Sequence, residues 1–194
     1  MVIWETERLL LKEIEMKEAE MAAELLSLFN SSFEGRDEKK PSLRKAFDRE
    51  QVEAYIKVAY GFYGYGYYGV YEKATAANEP GKGEKLIGVA GFREGSSPLE
   101  VGYAILSEYR GHGLASEALY ALTEFAKAEF QWVLEEQDSI DGKDWAFEKL
   151  HDKARDEKIY AFYVKNKPLC YGKVKRDNKA SIRVLRKNGF KEVQ

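Results

Sequence analysis

The sequence contains few of the residues that metal sites and covalent catalysis require. It has one cysteine, Cys170, and two histidines, His112 and His151. A single cysteine cannot form an internal disulfide, and cysteine/histidine zinc clusters need more ligands than this chain has. The two histidines also leave few positions for the base of a Ser-His-Asp triad. We therefore expect no metal cofactor and no disulfide framework.

The sequence also lacks a long hydrophobic run and a strong net charge. No stretch of about 18 apolar residues occurs, so no transmembrane helix is predicted. The N-terminal residues, MVIWETERLLLKEI, carry acids where a secretory signal has a basic and then an apolar region. The net charge of -2 gives no general attraction to nucleic acid. We expect a cytoplasmic protein that binds neither membranes nor nucleic acid.

What is present is the composition of one globular domain. Hydrophobic residues make up 44% and charged residues 33% of the 194 positions, which is typical of a folded domain with a substantial core. The charge is uneven, since residues 129–157 carry a net charge of -6 and residues 165–192 a net charge of +8. Two interpretations stay open: two solvated faces, or a basic C-terminal third that faces an anionic ligand.

Periodicity and turn residues predict a mixture of strands and helices. Strands are predicted at 5–13, 67–73, 85–93, 99–106 and 169–174, and helices at 16–29, from Asp48 onward, at 113–132 and at 178–188. Residues 30–47 are predicted to form a surface loop. The segment 138–166 stays open, because residues 159–164 have a strand-like composition but could also lie in a long helix that ends near Pro168.

A glycine- and tyrosine-rich segment at 64–69 matches the pattern G-x-G-x-x-G. The dinucleotide-binding fingerprint has a strand before these glycines and a helix after them. Here the predicted order is reversed, so a nucleotide site is not favoured. Seven of the 13 tyrosines lie between Tyr55 and Tyr71. We interpret the segment as a connection that contributes an aromatic wall to a substrate pocket.

A second glycine motif, Arg110-Gly-His-Gly-Leu-Ala115, lies between a predicted buried strand and a predicted buried helix. The first N–H groups of a helix have no internal partner and lie at the positive end of its dipole. Glycines at 111 and 113 allow the backbone to approach a large anion closely. The motif therefore predicts phosphate binding; an ordinary strand-to-helix turn is the alternative.

A third motif surrounds the last predicted helix. Asn178 and Ser181 lie at its start, and Asn188, Gly189 and Phe190 follow its end. Asparagine at the N-cap and glycine just beyond the last turn are typical capping residues. Capping alone explains these positions.

Together the second and third motifs resemble a known family. The acetyl-CoA-binding motif of the GCN5-related N-acetyltransferases (GNAT), Arg/Gln-x-x-Gly-x-Gly/Ala, is similar to LEVGYAILSEYRGHGLASEAL. The next motif of that family is similar to DNKASIRVLRKNGF. The RimJ/RimL-type branch, which contains ribosomal-protein N-terminal acetyltransferases, is similar to ETERLLLKEI and to GVYEKA with EKLIGVAGF. The resemblance covers about 1–130 and 169–191.

The resemblance implies an α/β fold of the α+β type. Its central sheet is mixed and mostly antiparallel, helices flank it, and two splayed parallel strands form the acetyl-CoA cleft. It implies a single domain over 1–194 that transfers acetyl from acetyl-CoA to the amine of a peptide N-terminus or a small molecule, without an acyl-enzyme; a homodimer is compatible with it. A catalytically degenerate CoA-binding or protein-interaction module on the same fold is the alternative.

The resemblance also implies the site residues. A backbone N–H near Leu106 would polarise the thioester carbonyl, and Glu100 would be the general base. Many relatives protonate the leaving thiolate with a tyrosine where this chain has Leu185, so Ser181 is the nearest alternative donor. Cys170 is expected to be a small core residue. The expected cofactor contacts are Ile105, Leu106, Ser107, Arg110, Gly111, His112, Gly113, Leu114, Ala115, Asn178 and Ser181.

Two features depart from the family pattern. An acidic insertion at about 131–167, rich in Trp and Phe, separates the two motifs and could cover the cleft or form a contact surface. After Gly189 the family usually completes one strand and adds another. Here either the chain is short, or a partner or the insertion supplies that strand. The acceptor stays open among a peptide N-terminus, an aminoglycoside and a polyamine.

Overall fold

One sheet with flanking helices accounts for most of the chain that the structure describes. The computed structural model describes residues 1–18, 20–22, 25, 49–74, 83–93, 98–136 and 156–193. The strands are β1 (Val2–Glu5), β2 (Leu9–Lys12), β3 (Tyr67–Glu72), β4 (Lys85–Arg93), β5 (Leu99–Ile105), β6 (Glu157–Val164), β7 (Lys167–Lys175) and β8 (Lys191–Glu192). The helices are α1 (Arg49–Val58), α2 (Leu114–Glu129), α3 (Gln131–Glu136) and α4 (Lys179–Lys187), with short turns of 3-10 helix at Met16–Glu18 and Ser107–Tyr109 and of π-helix at Ala59–Tyr63.

The strand order is β1-β2-β3-β4-β5-β7-β6-β8. Neighbouring strands are antiparallel except β5 and β7, which are parallel. These two pair only at Leu99 with Cys170 and at Glu100 with Tyr171. Both strands continue beyond these residues without pairing with each other, so they diverge. This arrangement confirms the mixed, mostly antiparallel sheet with a splayed parallel pair.

Side chains alternate between the two faces of the sheet, because successive residues of a strand point in opposite directions. On the face that we call the α2 face, Val101 and Ile105 of β5 pack with Leu119 of α2 and Leu185 of α4. On the opposite face, the α1 face, Val52 of α1 packs with strand residues that include Tyr71 and Val89, and Ala104 and Leu106 lie against this cluster. The two faces of β5 therefore lie in different environments.

Most of the predicted elements are confirmed, with two differences in their bounds. The strand predicted at 5–13 is a hairpin of β1 and β2, because Thr6 N–H donates to Leu9 O over 2.9 Å and closes a turn. The helix predicted at 113–132 ends at Glu129, and a separate helix, α3, follows Phe130. The ring of Phe130 is buried among other aromatic rings, including Phe92 and Phe125. Asp48, the loop 30–47 and half of residues 16–29 lie outside the described residues.

The open segment before β7 contains a strand rather than the end of a helix. Lys165 and Asn166 have φ values of 50° and 65°, as a tight two-residue hairpin turn requires, and they join β6 to β7. β6 also pairs with β8, so residues 157–164 lie between the last two strands in sequence. The acidic segment 131–167 therefore supplies a strand of the sheet. Within the described ranges, no helix is long and apolar enough to cross a membrane.

Gly91 of β4 is expected to be intolerant of any side chain. A Cβ atom there would overlap the carbonyl oxygen of Gly66 and the Cα of Tyr67, and both are backbone atoms that cannot move separately from the sheet. We expect Gly91→Ala to lower the free energy of unfolding by about 1–3 kcal/mol, measured by urea denaturation. Gly61→Ala, where a Cβ meets nothing within 4 Å, is the control and should leave stability unchanged or raised. Equal stability of the two variants would contradict this packing account.

Candidate functional site

A cleft of about 930 Å³ opens where β5 and β7 diverge. Its walls are formed by β5 from Val101 to Ile105, by β7 from Gly172 to Lys175, by the loop before α2, and by the start of α4. This volume lies at the upper end of the range typical of small-molecule sites. The cleft therefore has room for a large, elongated ligand.

The backbone of β5 presents hydrogen-bonding groups to this cleft. Leu106 N–H donates to Ile87 O over 2.9 Å, and Arg110 Nε donates to Ile105 O over 2.8 Å. Because alternate residues of a strand direct their backbone groups to opposite sides, the N–H groups of Tyr103 and Ile105 point toward the cleft. The N–H of Leu106 itself is directed to β4, and among the residues next to it the N–H of Ile105 faces the cleft. A carbonyl-polarising N–H near Leu106 therefore stays a prediction.

Two glycines of the loop before α2 have backbone conformations that favour glycine. Gly111 and Gly113 have φ values of +84° and +80°, in the left-handed region where side chains are costly. Gly113 is the N-cap of α2, and no side chain caps the helix among the described residues. The first N–H groups of α2 are thus available to an anion. Gly111, Gly113, Leu114 and Ala115 all line the cleft, together with Arg110.

An ion-pair network that the sequence analysis missed fixes this loop to the β1–β2 turn. Glu117, in the first turn of α2, accepts hydrogen bonds from Thr6 Oγ1 at 2.6 Å and from Arg8 N and Nε at 2.9 and 2.7 Å. Arg8 Nη1 also donates to His112 O at 3.0 Å. Burial alone would raise the pKa of Glu117, but these donors outweigh it and lower the pKa below its ordinary value. No local motif signals these contacts, because the partners lie more than 100 positions apart.

The start of α4 forms the opposite wall of the cleft. The side chain of Asn178 accepts a hydrogen bond from Ser181 N–H at 3.1 Å, which confirms the capping interpretation. Asn178 and Ser181 also line the cleft, so their contact with a cofactor stays a prediction. At the other end of α4, Asn188 Nδ2 donates to Ser116 Oγ at 3.0 Å and ties this helix to α2.

Tyr103 is a second residue that the sequence analysis missed. Its ring lies on the α2 face, and its hydroxyl donates to Ser181 O at 3.4 Å. Burial raises the pKa of Tyr103 to about 12, although the contact with Ser181 offsets part of the effect. The phenol is therefore protonated at neutral pH and lines the cleft beside Ser181. Leu185, which stands where many relatives have a tyrosine, is buried.

Glu100 lies on the α1 face beside the point where the strands part. It is only 2% exposed, and its Oε2 accepts hydrogen bonds from Tyr171 Oη at 2.9 Å and Lys173 Nζ at 3.3 Å. Arg93 Nη1 lies 3.8 Å from the same oxygen. Burial and the neighbouring Glu100 carboxylate both raise the pKa of Tyr171. Glu100 is thus held by cationic partners just behind the cleft wall.

Three other expectations concern Cys170, the tyrosine-rich segment and metal binding. Cys170 is completely buried in the core, as expected. Tyr65, Tyr67, Tyr68 and Tyr71 are also buried, and the described lining of this cleft contains none of residues 55–71, so the aromatic wall of a substrate pocket stays a prediction. Among the described residues, no cluster of three or more His, Cys, Asp or Glu side chains could hold a metal ion.

Comparison with known proteins gives the following matches. A family model described as the acetyltransferase (GNAT) domain matches residues 8–191. No curated protein matches the chain. Similar solved structures include a GNAT-family acetyltransferase from Bacillus anthracis, with 18% identity, a TM-score of 0.50, and coverage of 97% of this chain and 82% of that chain. This likeness shows a shared fold.

Two further structures have lower TM-scores. An acetyltransferase from Agrobacterium tumefaciens str. C58 has 21% identity and a TM-score of 0.45, and covers 95% of this chain and 81% of that chain. RimL, an α-N-protein acetyltransferase of a ribosomal protein, in complex with coenzyme A, has 16% identity and a TM-score of 0.47, and covers 97% and 83%.

The Glu117 network should make stability depend on pH. Folding lowers the pKa of the Glu117 carboxyl below its ordinary value of 4.5, so the carboxylate stabilises the folded protein at pH values above 4.5. This contribution is lost as the pH falls through the lower pKa of the folded state. We expect Glu117→Gln to lower the free energy of unfolding by about 1 kcal/mol at pH 7, and the difference from the unmodified protein to shrink below pH 4.5. Urea denaturation at several pH values measures this, with Glu135→Gln, at an exposed position of α3, as control. A pH-independent difference would contradict it.

Proposed function

The chain belongs to the GNAT acetyltransferase family, and from this premise we propose that it transfers an acetyl group directly from acetyl-CoA to a primary amine. The observation that carries the proposal is the position of the cleft. The cleft lies between the diverging parallel strands and extends to the uncapped N-terminus of α2. One ligand can therefore contact exposed strand backbone and helix amides together. A phosphate-rich thioester with an extended arm fits both parts.

The phosphate end of the cosubstrate belongs at the loop from Arg110 to Ala115. Its backbone N–H groups and the dipole of α2 favour a pyrophosphate there. The Nε of Arg110 is held by Ile105 O, which keeps the guanidinium at the rim of the cleft. The pantetheine arm would then follow the cleft side of β5, with Ile105 as a contact and Asn178 and Ser181 on the opposite wall.

The reaction needs a donor at the thioester oxygen and another at the sulfur. The N–H of Tyr103, directed to the cleft, is the proposed donor to the oxyanion that forms when the amine attacks. As the C–N bond forms and the C–S bond breaks, the thiolate takes a proton that Ser181 or the Tyr103 phenol delivers. The protonated amine must first lose a proton, for which Glu100 is the proposed base. The sum is ammonium plus thioester giving amide, thiol and one proton, with no covalent enzyme intermediate.

A CoA-binding module without turnover is the second candidate. Two observations favour it: Leu185 stands in place of the usual tyrosine, and the Glu100 carboxylate already accepts hydrogen bonds from Tyr171 and Lys173. The two candidates differ in one outcome. An enzyme releases thiol from acetyl-CoA only when an acceptor amine is added, whereas the module binds CoA and releases none with any amine.

We expect CoA to bind in calorimetry and thiol release to depend on an amine, drawn from peptides, aminoglycosides and polyamines. Gly113→Ala should weaken CoA binding about tenfold, because the positive φ is strained for alanine and the loop shifts. Gly189→Ala carries the same kind of strain, at φ +81°, beyond the end of α4, and is the matched control. It should lose stability but keep its affinity for CoA. Equal loss of affinity in both variants, or no CoA binding by the unmodified chain, would refute the proposed cosubstrate site.

The base assignment has its own test. Glu100→Gln should lower kcat by about 100-fold, while the KM for acetyl-CoA stays constant. Because Glu100 is buried beside Lys173, the unfolding midpoint of the variant is measured as well. An unchanged kcat would show that another group takes the proton.

A further inference from the structure

We propose that Glu157 binds the ammonium group of the acceptor, so that the α1 face of the cleft is a subsite for a primary amine. The inference rests on the proposed acetyl transfer and names the group that receives the second substrate. Glu157 begins β6, in a segment outside the part of the chain that resembles the family motifs. Its role is therefore argued from its position alone.

Glu157 lies on the α1 face of the sheet. It is directly opposite Lys175 in the antiparallel pair of β6 and β7, and directly opposite residues share a face. Lys173, two positions along the same strand, reaches Glu100 on the α1 face. Glu157 and Ser181 both line the cleft, yet Ser181 lies on the α2 face beside Tyr103. The cleft thus passes through the sheet, with the proposed cofactor residues on one face and Glu157 on the other.

The carboxylate of Glu157 is available to a ligand in the cleft. Glu100, on the same face, accepts hydrogen bonds from Tyr171 and Lys173 and is absent from the described cleft lining. Glu157 lines the cleft, and within the described residues no hydrogen bond or ion pair to its carboxylate is found. Asp177, the other acidic residue of the described part of the lining, lies in the turn before α4, next to Asn178. Glu157 is therefore the carboxylate placed to meet a cation on the α1 face.

The charged groups around Glu157 determine which amines fit the subsite. Burial and the nearby Glu100 raise the pKa of Glu157, while Lys173 and Lys175 pull it down. Arg93 also lies on this face, near Glu100. In a partly buried site a carboxylate attracts a cation more strongly than in water. The three cationic side chains disfavour a second positive charge, so the acceptor class that fits is a monoamine such as a peptide N-terminus, rather than a polyamine or an aminoglycoside.

The test uses probes that need no known acceptor. S-aminoalkyl-CoA thioethers of increasing chain length carry an ammonium from the sulfur position into the acceptor side, and uncharged S-alkyl-CoA thioethers of matched length are the reference. Their Kd values are measured by calorimetry on the whole chain. At one chain length the ammonium probe should bind roughly ten- to hundredfold more tightly than its neutral partner. This preference should fall away on acidification, already above pH 4.5, where an ordinary glutamate would still be charged.

The variants decide which carboxylate is responsible. Glu157→Gln should abolish the preference for the ammonium probe and leave the Kd of CoA itself unchanged. Asp177→Asn, at the other acidic residue of the described lining, should retain the preference. A probe that ends in two ammonium groups should bind less tightly than the monoamine, and tighter binding would overturn the assignment to monoamines.

Two other results have distinct meanings. If the unmodified chain binds both series equally at every length, or if the preference survives Glu157→Gln, the amine subsite is wrong although the proposed acetyl-CoA site stands. If neither series nor CoA binds, the proposed function has failed, and the inference that rests on it fails too. The unfolding midpoints of both variants are measured to check that the carboxamide substitutions leave the fold intact.

Discussion

β5 and β7 pair over two residues and then part, and the site depends on that separation. A strand that loses its neighbour leaves N–H and C=O groups that must find other partners. In β5 these are the groups of Tyr103 and Ile105, and Ile105 O already accepts the Arg110 guanidinium. The gap therefore combines room for an extended ligand with a row of fixed backbone donors and acceptors. A fully paired sheet would provide neither.

The remaining contacts keep the gap open and rigid. Arg8 and Glu117 join the β1–β2 turn to the first turn of α2 and to the carbonyl of His112. Asn188 joins the end of α4 to Ser116 on α2. These bonds fix both helices that border the cleft relative to each other and to the sheet. Preorganised donors of this kind lose no free energy to reordering during a reaction, which suits a site that works through backbone amides.

Local signals made two walls of the cleft predictable. Gly111 and Gly113 indicated a loop whose backbone can approach an anion, and Asn178 indicated a helix start, because each depends on residues close in sequence. Which N–H near Leu106 faces the cleft was not predictable, since the direction of a strand N–H depends on its register with β4. Register is set by pairing across the sheet, which local sequence does not specify.

Long-range pairing also explains what sequence analysis left open. The composition of residues 159–164 suited a strand, but only its partners β7 and β8 identify it as one. Glu157 and Tyr103 acquire their place in the cleft through this pairing and through the packing of α4. The acidic insertion, expected as a cover or a contact surface, contributes a structural strand and a carboxylate on the α1 face.

The most direct measurement of the central claim is a crystal structure of the chain with acetyl-CoA. The account predicts the pyrophosphate at the N–H groups of residues 111–115, the pantetheine arm between β5 and β7, and the acetyl carbonyl at the N–H of Tyr103. The acetyl group should face the side of the sheet that carries Glu157. A cosubstrate bound elsewhere, or one whose pantetheine arm lies outside the gap between β5 and β7, would contradict the account.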